Sequence, residues 1–305
     1  MSTVVIDTPE ATAVTAIDAG RGTVVPLTST LGARVVGLHL GAPLDEATVA
    51  WLRGLLLDHK ALFFRGQHLT PTEQVAFART LGELTPAHPL AGGLDDDHPE
   101  VLVLDSSAYL LGLGRRTEKT SYNDRWHTDV TFSARPPAAS VLCAEVIPAS
   151  GGDTLWCDLE DAYAALSPKL RAVLDDTVAF HTAVGAFGYL ERQEGARELL
   201  ADQDSIGHPA VRVHPETGRR SLFVNEAFTT SLDGFSEQES SALLDLLFAL
   251  STAPERTVRW QWQVGDVAVW DNRSTAHFAM ADYGDSHRRM RRVTVAGDIP
   301  VSPYG

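Results

Sequence analysis

Apolar residues in this chain recur in short runs with period-two alternation, and few helical stretches separate those runs. The runs fall at 24–40 (a strand pair), 61–64, 101–105, 139–146, 154–157, 211–213, 221–224, 258–263, 267–270 and 292–295. A strand points successive side chains to opposite faces, so each run presents one face to a core. A parallel βαβ sheet would need a helix between successive strands, and these helices do not alternate that way. Helical periodicity is confined to 44–56, 71–81, 159–166, 168–175 and 237–249. Asp45, Thr70 with Glu73, and Ser236 with Glu239 stand where helix N-caps and capping boxes belong. The fold expected is mainly β with flanking helices, a double-stranded β-helix or jelly-roll barrel.

Length and charge narrow what such a fold could do. At 305 residues with 44% apolar content, one domain of this kind can build its own core. Residues 1–22, rich in Ala, Thr and Asp without periodicity, are expected to be a flexible tail, leaving 23–305 as a single domain. The loop-rich stretch 85–125 is the expected place for a substrate lid. A formal net charge of −15 argues against nucleic acid or an anionic membrane as partner. It would also repel a small anionic substrate, so local Arg or His must do any capturing. No apolar run approaches the roughly 18 residues of a membrane span, and the N-terminus has no basic leader followed by an apolar segment. Cys143 and Cys157 read as small core residues of a reduced protein, with a bridge between them left open. A cytoplasmic homo-oligomer is expected.

The stretch WHTDVTF at 126–132 carries the chemistry. Its Thr, Val and Phe favour a strand, which would project His127 and Asp129 from one face and Thr128 from the other. An imidazole and a carboxylate side by side are two-thirds of the two-His-one-carboxylate set that binds non-haem Fe(II) and leaves coordination positions open. The segment 263–295 supplies a second imidazole, His277, and then a basic cluster, Arg288, Arg289, Arg291 and Arg292. On strand parity Arg288 and Arg292 share a face and point inward, while Arg289 and Arg291 read as a solvated basic edge. Buried guanidiniums call for anions to pair with. An iron that activates O₂ needs two further electrons, which a 2-oxo acid can provide by decarboxylation, and its far carboxylate needs an arginine. His181, His208 and His214 read as structural, and the tryptophans as core.

WHTDVTF, GGDTLW at 151–156, NEAFTT at 225–230 and the run from WDNR at 270 to HRRMRRVT at 287–294 together resemble the taurine dioxygenase family of Fe(II)/2-oxoglutarate-dependent oxygenases. The resemblance covers about residues 30–300. It implies that His127, Asp129 and His277 are the iron ligands, and that Arg288 and Thr154 hold the far carboxylate of 2-oxoglutarate. Arg292 matches the arginine that grips a substrate sulfonate or sulfate. His88, Asn123, Phe187 and Phe228 fall where the family contacts substrate. The longer lid between His88 and His127, and the apolar surroundings of Phe187, point away from taurine and toward a longer-tailed sulfate ester or sulfonate, as in the alkylsulfatase branch. O₂, Fe(II) and 2-oxoglutarate would then hydroxylate the carbon beside the sulfur-bearing group, releasing sulfate or sulfite and an aldehyde. Asp129 occupies the position that a halogenase leaves open for chloride, which favours hydroxylation. Two other readings remain: the same chemistry on a carboxylate-bearing aryloxyalkanoate, amino acid or natural-product intermediate, and a non-enzymatic metal or small-acid binding module.

Overall fold

A helix leaves its first four amide hydrogens without backbone partners, and acceptor side chains at the N-cap decide where it starts. Asp45 accepts from Thr48 N at 2.6 Å and opens α1 (Glu46–His59). Thr70 and Glu73 form a reciprocal capping box, with Pro71 at the first helical position, and open α2 (Pro71–Leu81). Asp158 and Ser167 cap α3 (Leu159–Ala165) and α4 (Pro168–Leu174). Ser236 and Glu239 form a second capping box for α5 (Glu237–Ser251).

The computed structural model describes residues 17–18, 21–89, 91–107, 124–184 and 205–305. Its strands begin with β1 (Ile17–Asp18), β2 (Gly22–Pro26), β3 (Ala33–Val36), β4 (Ala61–Phe64) and β5 (Leu102–Asp105). The middle of the chain adds β6 (Ala139–Val146), β7 (Thr154–Asp158), β8 (Val178–His181), β9 (Ile206–Pro209), β10 (Val211–Val213), β11 (Arg220–Leu222) and β12 (Thr229–Leu232). The last are β13 (Thr257–Trp260), β14 (Val267–Asp271), β15 (Thr275–Ala279) and β16 (Arg289–Val295). An eight-stranded sheet runs β1-β2-β3-β4-β14-β6-β16-β5, and a three-stranded sheet β13-β7-β15 lies opposite it. All ladder pairs are antiparallel except β3 with β4.

Alternation assigns the faces as the period-two pattern requires. On β6, Val141 and Cys143 join Val267, Val269, Val293 and Val295 in a core covered by Leu52 and Leu56 of α1 and Val75, Phe77 and Ala78 of α2. Leu142 and Ala144 face the other way, with Phe63, Ala268, Trp270 and Met290, and meet Trp156, Val258, Trp260 and Trp262 of the opposing side. A third core joins α3, α4 and α5 to the outer face of the smaller sheet. The architecture is the expected mainly-β jelly roll with flanking helices. Smaller sheets β12-β8-β9 and β10-β11 accompany the first two, and all stay open among the described residues: hydrogen-bonded pairing does not run continuously around the core.

One expectation needs correcting. Arg291 is not part of a solvated edge; it is buried, donates to Leu69 O and pairs with Glu145 at 3.0 Å. The outer face of β16 is covered by α2, whose Gln74 Nε2 donates to Arg291 O at 3.0 Å, so a side chain on that face cannot stay in water. Arg289, nearer the strand end, is half-buried and pairs with Asp105 and Glu145. Cys143 and Cys157 lie in different sheets, buried and unbridged, and burial pushes both thiols up to about 12. Most of residues 1–22 and the lid residues 108–123 lie outside the described residues, although Ile17 and Asp18 pair with Thr23 and Gly22. Within them, no helix is long and apolar enough to cross a membrane.

Phe63 is fully buried, stacked on Trp260 at 4.6 Å and edge-on to Trp156 at 5.1 Å, so it ties the two sheets together. Phe63→Ala should lower unfolding free energy by about 3–5 kcal/mol, read from urea denaturation.

Candidate metal centre

The WHTDVTF stretch is not a strand. It makes one bridge and then turns. His127 N donates to His277 O at 2.9 Å and His277 N donates to His127 O at 2.7 Å, an isolated antiparallel pair. Directly after Asp129 the chain reverses through Val130, which takes φ +53°. Tertiary pairing overrides the strand preference of Thr, Val and Phe here, as it can wherever a segment has one partner residue instead of a ladder. The consequence expected from alternation nonetheless holds. Thr128 points away and donates to Thr275 O at 2.9 Å, while His127 and Asp129 converge.

The donor atoms of His127, Asp129 and His277 all lie within 4.8 Å of one another, and all three residues are buried. Asp129 Oδ1 is 4.0 Å from His127 Nε2 and 3.9 Å from His277 Nε2. His127 Nδ1 sits 2.8 Å from Arg125 O; a carbonyl can only accept, so Nδ1 carries the proton and Nε2 turns its lone pair toward Asp129. Burial lowers the pKa of both imidazoles, and the neutral form is the one that ligates. Burial alone would raise the Asp129 carboxyl, but Arg292, His277 and His127 hold it at about 2. Two neutral imidazoles and one carboxylate, on one side of a small buried space, fit a divalent first-row metal and leave the opposite side for other ligands.

A chain of hydrogen bonds holds Asp129 from behind. Ser140 Oγ donates to Asp129 Oδ2 at 2.7 Å, Asn272 Nδ2 donates to Ser140 Oγ at 2.9 Å, and Trp270 Nε1 donates to Asn272 Oδ1 at 2.9 Å. Such outer partners orient ligating groups. Sequence reading passed over Ser140 and Asn272 and took Trp270 as core alone; only the place of Trp270 and Asn272 within the WDNR motif hinted otherwise, and nothing marked Ser140. The turn is anchored too. Thr131 Oγ1 receives Asn225 Nδ2 and lies against His181 Nδ1, both at 3.0 Å, and Asn225 Oδ1 accepts from Phe228 N at 3.0 Å. Thus His181 has a structural role one step behind the centre. His208 and His214 bond Ser133 O and Asp271, away from it.

The other expected residues fall on the same inner face. Arg288, Met290, Arg292 and Thr294 follow strand parity and are buried. Arg288 Nε donates to Gly152 O at 3.0 Å, and Gly152 N donates to Asp282 Oδ1 at 2.7 Å. Thr154, two residues past Gly152, is buried and accepts from Trp262 Nε1 at 2.9 Å. The Arg292 guanidinium lies against Asp129 Oδ1. His88 is buried near both; burial first, then the Arg292 charge, lowers it to about 3 and keeps the ring neutral. Phe228 is edge-on to His127 at 6.2 Å and to Phe132 at 5.0 Å, standing behind the imidazole. Asn123 and Phe187 lie outside the described residues. This geometry predicts that anaerobic Fe(II), at about a hundred times its Kd, raises the thermal midpoint by roughly 5 °C, and that His277→Ala abolishes the shift. Scanning fluorimetry reads it.

Comparison with known proteins agrees with this arrangement. Residues 23–294 match the family described as taurine catabolism dioxygenase TauD, TfdA family. The chain is 40% identical over 287 residues to the alkylsulfatase of Acinetobacter baylyi, covering 92% of this chain and 86% of that one. It is 40% identical over 289 residues to the alpha-ketoglutarate-dependent sulfate ester dioxygenase of Pseudomonas putida, covering 92% and 91%. A crystal structure of a taurine dioxygenase from Burkholderia xenovorans superposes with a TM-score of 0.79 at 39% identity, over 93% of this chain and 94% of that one. Sequence, fold and the converging His-Asp-His set therefore agree: the chain belongs to the taurine catabolism dioxygenase TauD, TfdA family and is an oxidoreductase of the 2-oxoglutarate-dependent dioxygenase class.

Proposed function

We propose that this enzyme hydroxylates the carbon bearing a sulfate ester, so that the ester falls apart into sulfate and an aldehyde. The observation that carries the reading is that Arg288, just before β16, and Arg292, within it, are buried beside the His-Asp-His set in a chain of net charge −15. Four residues of extended chain set the two Cα atoms about 13 Å apart, and the two guanidiniums meet different partners, Gly152 O and Asp129, so that two anions could be held on one face. Two anionic molecules are what the reaction requires: a 2-oxo diacid and a sulfate ester.

His127, Asp129 and His277 would hold Fe(II). Iron with 2-oxoglutarate and O₂ supplies the oxidising equivalent that inserts one oxygen atom into a C–H bond while the cosubstrate becomes succinate and CO₂. Arg288 and Thr154 are assigned the far carboxylate of 2-oxoglutarate. Arg292 is assigned the sulfate head, since a guanidinium offers two parallel donors to such an oxyanion. In this structure Arg292 neutralises Asp129. A divalent cation drawing on the same carboxylate gives Arg292 reason to turn to the substrate. His88 is assigned to the same head group as a neutral hydrogen-bonding partner, and Phe228, with Asn123 and Phe187, to the organic part. Once the carbon carries both hydroxyl and sulfate, the hydroxyl loses its proton, C=O forms, and the carbon–oxygen bond to sulfate breaks.

The names of both 40% relatives favour a sulfate ester over a sulfonate or a carboxylate. The two buried, unbridged thiols fit a reducing cytoplasm. Incubation with alkyl sulfates, Fe(II), 2-oxoglutarate and O₂ should release sulfate and aldehyde in step with succinate. Succinate without sulfate from every ester tried would refute the reading. A second expectation concerns the cosubstrate arginine. Gly152 has φ +74°, and a Cβ there would meet Arg288 Cδ at 3.1 Å and Nε at 3.2 Å. Gly152→Ala should raise KM for 2-oxoglutarate roughly tenfold, the size of one charge-assisted hydrogen bond, with a smaller change in KM for the ester. Steady-state succinate formation measures both.

A further inference from the structure

Three consecutive residues of the GGDTLW turn are held by side chains from much later in the chain. Gly152 N donates to Asp282 Oδ1 at 2.7 Å, Arg259 Nε donates to Asp153 Oδ2 at 2.6 Å, and Trp262 Nε1 donates to Thr154 Oγ1 at 2.9 Å. Asp282 and Arg259 are exposed side chains, whereas Trp262 and Thr154 are both buried. The indole bond has a direction. A ring N–H can only donate, so it occupies a lone pair of the Thr154 hydroxyl and leaves the hydroxyl hydrogen to be given elsewhere. Thr154 is 1% exposed, and its hydroxyl meets no acceptor among the described residues. A buried donor of this kind suits an acceptor that arrives with a ligand. Burial alone does not demand the indole bond: Trp156 Nε1, as deeply buried, has no partner among the described residues. Arg288 Nε donates to Gly152 O, two residues before Thr154, so the guanidinium assigned to an anion and this hydroxyl share one support.

We propose that Trp262 is a positioning residue for the cosubstrate: its N–H fixes the Thr154 hydroxyl as a donor to the far carboxylate of 2-oxoglutarate. The proposal rests on the assignment of Thr154 to that carboxylate and deepens it. A carboxylate offers only acceptors, and a guanidinium offers only donors, but a hydroxyl can do either. Trp262 removes that ambiguity. Without the indole the hydroxyl rotates, and an oxygen that no longer accepts also donates less strongly, because linked hydrogen bonds polarise one another.

The test measures binding by calorimetry to the full chain loaded with Zn(II), which has no redox chemistry and cannot turn over. The paired probes are 2-oxoglutarate and 2-oxopentanoate, which has the same oxo acid head and no far carboxylate. Thr154→Val should weaken 2-oxoglutarate about tenfold, the loss of one hydrogen bond to a charge, and Trp262→Phe about fivefold. The double variant should bind no more weakly than Thr154→Val, because the indole acts only through the hydroxyl. None of these changes should move the Kd of 2-oxopentanoate. Should Trp262→Phe not fold, the indole N–H proton signals of the Zn(II)-loaded natural enzyme carry the test. One of the six should shift with 2-oxoglutarate and hold still with 2-oxopentanoate, and Thr154→Val should displace that same signal. A Trp262→Phe variant that weakens both probes alike, or neither, overturns the positioning role alone, as does the lack of such a signal. Unaltered 2-oxoglutarate binding in Thr154→Val overturns the assignment of Thr154 and the positioning role with it.

Discussion

Two backbone hydrogen bonds between His127 and His277 hold this site together. They join residues 150 apart in the sequence, and they do it without a ladder: the neighbours on the His127 side leave the pairing at once, through the Val130 turn. A single bridge would be weak alone. It is reinforced by Thr128, which reaches Thr275 O across a sequence separation of 147, and by Thr131, which Asn225 and His181 hold from beneath. The bridge places two imidazoles side by side, with ring centroids 4.0 Å apart, and the turn swings the carboxylate between them. A donor set of this kind is assembled by the fold and not by any one segment.

Charge makes the arrangement demanding. Arg292 and Asp129 are both almost wholly buried, and a buried ion pair seldom repays its desolvation by attraction alone. Ser140, Asn272 and Trp270 supply hydrogen bonds on the far side of the carboxylate, and these reduce the cost. The same three residues pin β6 and β14, so the central strands of the large sheet and the acid at the centre are positioned by one network. Arg288 depends on a different support: a Gly-Gly turn whose second carbonyl accepts from Nε and whose amide is clamped by Asp282. Both glycines there have positive φ, and a side chain at Gly152 would crowd Arg288, with Cβ 3.1 Å from its Cδ.

β16 joins these parts into one surface. One face belongs to the core under α1 and α2 through Val293 and Val295, with Arg291 sealed beneath the helix. The other carries, in order, Arg288, Met290, Arg292 and Thr294. That order places the residue assigned to the cosubstrate, an apolar spacer, the residue assigned to the sulfate and a buried threonine at successive two-residue steps. In an acidic protein, arginines turned inward concentrate positive charge beside the His-Asp-His set.

Much of this was legible in the sequence because it follows from local rules. Period two picked out the inner face of the last strand, and the caps at Asp45, Thr70 and Ser236 located three helices, since a side chain two or three residues from an amide needs no distant partner to satisfy it. The motifs at His127, Asp129, His277, Arg288 and Arg292 were recognisable because each residue type is dictated by the ligand it suits. The strands β8, β12 and β15 were not read out, being four or five residues long with polar members, and stable only through their partners. The turn at Val130 ran against local preference. The burial of Arg291 depended on which helix lay over it, and the Ser140–Asn272–Trp270 chain on strands meeting from distant parts of the sequence. Thus the sequence by itself determined the alphabet of the site and the faces of its strands, through local geometry. Only the tertiary structure decided that the two imidazoles and the carboxylate meet, because convergence and support both arise from contacts between residues that the chain keeps far apart.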